Sequence, residues 1–301
     1  MFNTRFFLFI LLFSVGMHGM AQDDDLDALL DEVQEKTIDY VTGTFKSTRV
    51  INLQSVERVA GKTLDFRISH RFGSLDGGAY ELFGLDQATI RFGLEYGLTD
   101  RIMIGLGRST YEKTIDGFVK ASILKQSTGK INMPVSVVYF GSTTVNGLKW
   151  QNQDRDNYFS SRLAYVHQLI IARKINSALS LQFSRTIVHK NLVATAADKN
   201  TRGALGFAGR VKLTNRTTLN AEYIYRLPQR EKTESFENFY NSLSVGVDIE
   251  TGGHVFAFHL SNSLPMIEKG FIFETNKSWL KNGIHLGFNI SREFTFRKSK
   301  K

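Results

Sequence analysis

The stretch ATIRFGLEY (88–96) sends Ala88, Ile90, Phe92, Leu94 and Tyr96 one way and Thr89, Arg91, Gly93 and Glu95 the other. A period of two puts successive side chains on opposite faces of a strand. One face is wholly apolar, while the other carries charge, glycine and a hydroxyl. Such a strand has water on one side and lipid or a core on the other.

The pattern recurs from residue 64 to residue 296. It predicts strands at 63–72, 86–97, 101–110, 115–125, 133–141, 158–172, 178–188, 202–213, 217–228, 239–250, 254–263 and 283–296. Each is near the ~9–11 residues that a tilted strand needs to cross a bilayer. The outward parity gathers Leu64, Phe66 and Ile68 at the start and Ile284, Leu286, Phe288 and Ile290 at the end. The opposite parity gives small or polar residues such as Ser242, Ser244 and Gly246. The strands at 133–141 and 158–172 are less clean. Val137 and Val138, or Leu169 and Ile170, make both faces apolar, which predicts that something packs inside there.

The connections alternate in length. Leu98-Thr99-Asp100, Thr214-Asn215-Arg216 and Thr251-Gly252-Gly253 are tight, whereas 73–85, 142–157, 189–201, 229–238 and 264–282 are long and mostly polar. Short turns at one end and long loops at the other are the asymmetry of outer-membrane barrels, whose turns are periplasmic. An even strand count brings both ends of the barrel to the turn side. The expected fold is therefore all-β: a single antiparallel transmembrane β-barrel of about twelve strands, preceded by a short N-terminal helix.

The N-terminus reads as a secretory signal over 1–21. Arg5 precedes an apolar run, and Gly19-Met20-Ala21 supplies a small-residue cleavage pattern. That run is about half the ~20 residues of a membrane-spanning helix. Residues 22–41 are expected to form an acidic periplasmic helix. Leu26, Leu29, Leu30 and Val33 lie at helical spacing, with acids crowding the first turns. Residues 42–62 are an irregular linker or a segment tucked against the lumen, and the barrel takes 63–301. The chain has no cysteine, which excludes disulfide, thiolate and iron–sulfur chemistry. Its formal net charge of +9 hides an asymmetry, because 23–39 holds eight acids against Lys36. The basic body suits lipopolysaccharide phosphates or an anionic solute better than nucleic acid.

Inward parity collects Arg67, Arg91, Glu95, Asp116, Lys120, Arg210, Glu222, Arg226 and Asp248, of both signs. In one reading they form a charged ring that filters ions. In the other, Arg–carboxylate pairs brace a narrow, closed barrel. Twelve strands lie between side-chain-filled eight-stranded barrels and open sixteen-stranded porins, so size does not choose. His259 and His285 share that parity without a third ligand, so no metal or other cofactor is expected. No phosphate-cradling loop, HExxH or Ser–His pair with an orienting third group is present, and no catalytic residue is assigned.

The stretch FGSLDGGAYELFGLDQATIRFGLEYGLTDRIMIGLGRSTYEKTIDGFVKASILKQ (72–126) resembles an uncharacterised family, the membrane-bound β-barrel domain proteins of Bacteroidota-type envelopes. So does STRVINLQSVE (47–57). The markers are GLTDR (97–101), GLGRS (105–109) and KTIDGFVK (113–120). The resemblance implies an outer-membrane barrel and supplies no activity, substrate or catalytic residues.

The expected function is a narrow channel for small solutes or ions, or a structural barrel, in the outer membrane. The alternative is a surface-binding or partner-docking barrel that uses its loops or acidic helix; a membrane-embedded hydrolase comes third. Expected partners are outer-membrane lipid and lipopolysaccharide, the barrel-assembly machinery and a periplasmic partner of the acidic helix, with no nucleic acid.

Overall fold

Alternating strands with one apolar face must either stack two sheets or close on themselves, and here they close. The computed structural model describes residues 37–229, 233 and 237–296. The segments expected to form an export signal and most of an acidic helix (1–36) lie outside the described residues. Two short strands, β1 (Ile38–Tyr40) and β6 (Ser127–Gly129), pair as a small sheet of their own. Ile38–Tyr40 was expected to end the acidic helix and is a strand instead. The helical spacing of leucines stops at Val33, and Thr37, Ile38, Tyr40 and Val41 are β-branched or aromatic.

The barrel consists of β2 (Thr63–Ser74), β3 (Ala88–Gly97), β4 (Ile102–Ser109), β5 (Ile115–Leu124), β7 (Ser136–Val145) and β8 (Leu163–Lys174), followed by β9 (Leu179–Lys190), β10 (Thr201–Lys212), β11 (Thr217–Arg226), β12 (Ser242–Thr251), β13 (His254–Ser261) and β14 (His285–Thr295). Every neighbour is antiparallel, and β14 returns to β2 through Ile290 opposite Ile68 and Phe294 opposite Leu64. Twelve strands in a closed barrel is the expected count. Along β3, Arg91 and Glu95 are buried while Phe92 and Leu94 face outward and are exposed. No helix among the described residues is long and apolar enough to cross a membrane.

The tight turns cluster at one end. At the β12–β13 turn, Gly252 and Gly253 both have positive φ (40° and 98°), the conformation of a two-residue type I′ hairpin. Two strand positions differ from expectation. The strand placed at 133–141 runs from Ser136 to Val145, because Pro134 cannot donate to a ladder. The one placed at 158–172 starts only at Leu163, after a 3-10 turn over Phe159–Arg162.

Two segments outside the ladder occupy the interior. Residues 44–59 enter from the turn end and reverse at Val50–Asn52, where the Val50 amide donates to the Leu53 carbonyl at 2.8 Å. They run back past an antiparallel bridge between Arg49 and Gln54. The second segment is a correction. The 264–282 loop, expected to be polar, folds inward and forms α1 (Glu268–Phe273), which is buried throughout. Its Ile267, Phe271, Ile272 and Phe273 are apolar and nearly inaccessible.

Candidate functional site

The inner wall divides by chemistry. From β7 to β9 it presents Val138, Phe140, Val166, Ile170 and Val188 between short polar residues. These pack in one buried cluster with Phe45, Val50, Leu53 and Val56 of the hairpin and with Phe271, Ile272 and Phe273 of the loop. The doubly apolar strands therefore do have something packed inside. Leu53 approaches β10 where Gly206 leaves room. A Cβ at Gly206 would lie 2.4 Å from Ser184 Oγ and 3.1 Å from Leu53 Cδ1.

The rest of the wall is charged and grips the hairpin largely through its backbone. Glu222 of β11 accepts from the amides of Ile51 (3.2 Å), Asn52 (2.9 Å) and Leu53 (2.9 Å). Lys120 of β5 donates to the carbonyls of Thr48 (2.8 Å), Ser55 (3.2 Å) and Glu57 (3.1 Å). One side chain thus satisfies donors of the turn and another acceptors of the hairpin arms, which removes the cost of burying them. Arg210 donates to the Gly43 carbonyl at 2.8 Å, and Arg67 to Thr48 Oγ1 at 2.9 Å. Thr48 in turn donates to Glu95 at 2.5 Å.

Among the remaining candidates, Arg91 and Asp116 form a buried two-point pair, with Nε donating at 3.0 Å and Nη2 at 2.5 Å. This pair braces the wall rather than facing water. Arg226 donates to the Phe239 carbonyl at the loop end. Asp248 is buried on β12 beside Thr218 and Ala257. All nine candidates are buried. Four of them meet the hairpin, Arg210 holds Gly43 just before it, Arg91 and Asp116 pair with each other, and Arg226 and Asp248 have other neighbours.

Two contacts escaped sequence reasoning: that of Arg71, itself on the inward parity, with Asn52 and His259, and that of Arg49 with Glu268. Arg71 is inaccessible, and donates to Asn52 Oδ1 at 3.0 Å and to His259 Nε2 at 2.8 Å. The His259 ring nitrogen there is the acceptor, since guanidinium has no lone pair to offer. Arg49 meets Glu268 at 2.9 Å, with side-chain exposures of 4% and 1%. Glu268 also accepts from Gln54 Nε2 at 2.9 Å. This contact joins the hairpin to the inserted loop. The only hint was a short apolar run, Phe271-Ile272-Phe273, inside the longest loop.

At the loop end a second cluster holds α1 in place. Glu274 pairs with Lys190 and, at 3.3 Å, with Lys269, while Lys269 also pairs with Glu112. Tyr111 donates its hydroxyl to Glu274 at 3.3 Å. Burial alone would push the Glu274 carboxyl up, but the two ammonium groups overcome it and hold the carboxyl well below its usual range. Burial would likewise lower Lys269, and Glu274 with Glu112 reverse that, leaving it raised.

Among the described residues no group of three His, Cys, Asp or Glu is placed to hold a metal ion. His285 Nδ1 instead lies 3.0 Å from the Phe72 carbonyl. The arrangement closes a barrel with two polar-anchored segments inserted from opposite ends.

Among solved structures the chain is similar to the NanC porin at 9% identity and a TM-score of 0.47, over 77% of this chain and 100% of that one. It is also similar to the KdgM porin, at 10% identity and a TM-score of 0.43, over 78% and 99%. An outer membrane channel from Pseudomonas putida F1 matches at 11% identity and a TM-score of 0.46, over 79% and 97%. No curated protein matches the chain. The model of one family spans residues 45–294, hairpin and inserted loop included, and the chain therefore belongs to the membrane bound beta barrel domain family (DUF5777).

Proposed function

We propose that this protein is an outer-membrane barrel that keeps its lumen shut and passes small solutes or ions when its inserted segments yield. The observation behind this reading is the character of the contacts. The hairpin is gripped through its backbone by ionised side chains of the wall, above all Glu222 and Lys120. A filling that served only to stiffen the barrel would be better made of interdigitating apolar side chains, which carry no desolvation cost. The wall behind it is also polar where it has no need to be. The hydroxyls of Ser142, Thr144, Ser180, Ser184 and Thr218 are buried with no protein partner. Such a surface is costly against a dry filling and comfortable against water.

Against this stands the braced barrel, favoured by the Arg91–Asp116 pair, which links strands without touching the hairpin. Planar-bilayer recording separates the two. The wild type is expected to be silent most of the time, with Glu222→Gln and Lys120→Met opening more often. Variants that refold to full heat-modifiable mobility yet never conduct would establish a closed structural barrel.

A further inference from the structure

The lipid-facing side of the barrel carries a feature unrelated to the lumen. A groove of about 540 Å³ crosses the outer surface of β8 to β12. Its walls include Ile171, Leu181, Phe183, Phe207, Tyr223 and Leu243. Its floor drops where Gly209 and Ala221 face each other across β10 and β11.

The groove follows one row of cross-strand partners, Ile171 to Phe183, Phe207, Tyr223 and then Leu243. Ile171 lies near the turn end of β8, and Leu243 near the loop end of β12, so the row climbs through the membrane. Four steps of ~4.8 Å make about 19 Å. With strands tilted by ~45°, that rises about 14 Å, against the ~15 Å that half of a 30 Å hydrocarbon core supplies. The rise matches the reach of one acyl chain that starts at the turn side.

The lower end is marked by charge. Arg173, next to last in β8, lines the groove from the outward parity and is exposed. Its guanidinium has no hydrogen-bond or ion-pair partner among the described residues. The charged residues on the outward parity of the barrel strands are Arg108, Arg173, Arg185 and Arg292, all of one sign. A second copy of this barrel has no carboxylate to present to Arg173 from its own lipid face. A phosphate at headgroup depth has what is missing, because guanidinium takes phosphate oxygens in a two-point geometry.

We propose that this groove is a binding site for one phospholipid of the turn-side leaflet, with its phosphate on Arg173 and an acyl chain along the row toward Leu243. The site is independent of whether the lumen conducts.

Native mass spectrometry of the full chain, extracted in mild detergent and exchanged to limiting phosphatidylglycerol, tests it. The wild type should retain about one phospholipid per barrel. Arg173→Gln removes the phosphate partner, and a charge-assisted bond of this kind is worth about tenfold or more in occupancy. Gly209→Leu fills the floor, and a Cβ there meets Leu181 only at an ordinary 3.5 Å, so the barrel should fold normally. Both variants should lose the lipid, while Arg292→Gln on β14 should keep it. Three results would overturn the site: a wild type with no stoichiometric phospholipid, retention unchanged in both groove variants, or lipopolysaccharide as the retained lipid.

Discussion

Glu222 shows how much one side chain can do in a barrel interior. Its two oxygens take three backbone amides of a tight turn, an arrangement only a charged carboxylate satisfies. A glutamine offers one acceptor and turns its own donors toward the remaining amides. Glu222→Gln should therefore cost about 1–3 kcal/mol, with faster amide exchange confined to Ile51, Asn52 and Leu53. Unchanged exchange at those three would show that the turn is held elsewhere. Arg185 works in the other direction. It is exposed on the outward parity in the middle of β9, between Leu169 and Leu205. A lipid-facing Arg costs ~2–4 kcal/mol at the bilayer midplane and less toward the interfaces. Arg185→Leu should therefore stabilise the barrel by about 2 kcal/mol in urea titrations from vesicles, and a loss of stability would refute this placement. The parity break was visible in LQFSRTIV (181–188). The role of Glu222 was not visible, because alternation says which face a residue takes and nothing of what fills the space it faces.

At the scale of elements, α1 and its flanks are held in the mouth by opposite charges, so their anchorage should depend on pH. The Glu274 carboxyl is held below the 4.5 of the unfolded chain, at about 2. A depressed carboxylate contributes fully above its unfolded value and is lost as pH falls through the folded one. Lys269 is raised above 10.5, so its share persists across neutral pH and disappears only in strong alkali. Amide protection over 266–275 should therefore be flat from pH 5 to 9 and fall between pH 4.5 and 2, with the barrel strands unaffected. Glu274→Gln should remove the acid dependence; if the same acid transition persists in that variant, another group controls the loop. Strands and tight turns were legible because period-two patterning and turn chemistry are local. The inward course of this loop was not, since its apolar run is too short to distinguish from a surface contact. The doubly apolar faces at Val137–Val138 and Leu169–Ile170 pointed to an occupant without naming it.

For the whole molecule the decisive contact is Arg49 with Glu268, where the hairpin from one end meets the loop from the other. Breaking a buried pair from one side is expected to cost about 3–5 kcal/mol, whereas replacing both partners by apolar residues is often neutral. Arg49→Met and Glu268→Leu should each destabilise strongly, and the double variant should recover most of the loss. Additive effects in that double-mutant cycle would mean that the two segments are independent.

The course of the hairpin has a consequence for biogenesis. Residues 44–59 both enter and leave at the turn end, passing directly into β2. No strand must thread the ring, and closure of β14 on β2 need not wait for the filling. A barrel made without residues 42–59 should be able to take up a separately synthesised 42–62 peptide in trans, as two fragments reassociate into one fold. The interior would then be a docking event in miniature, with an affinity that can be titrated.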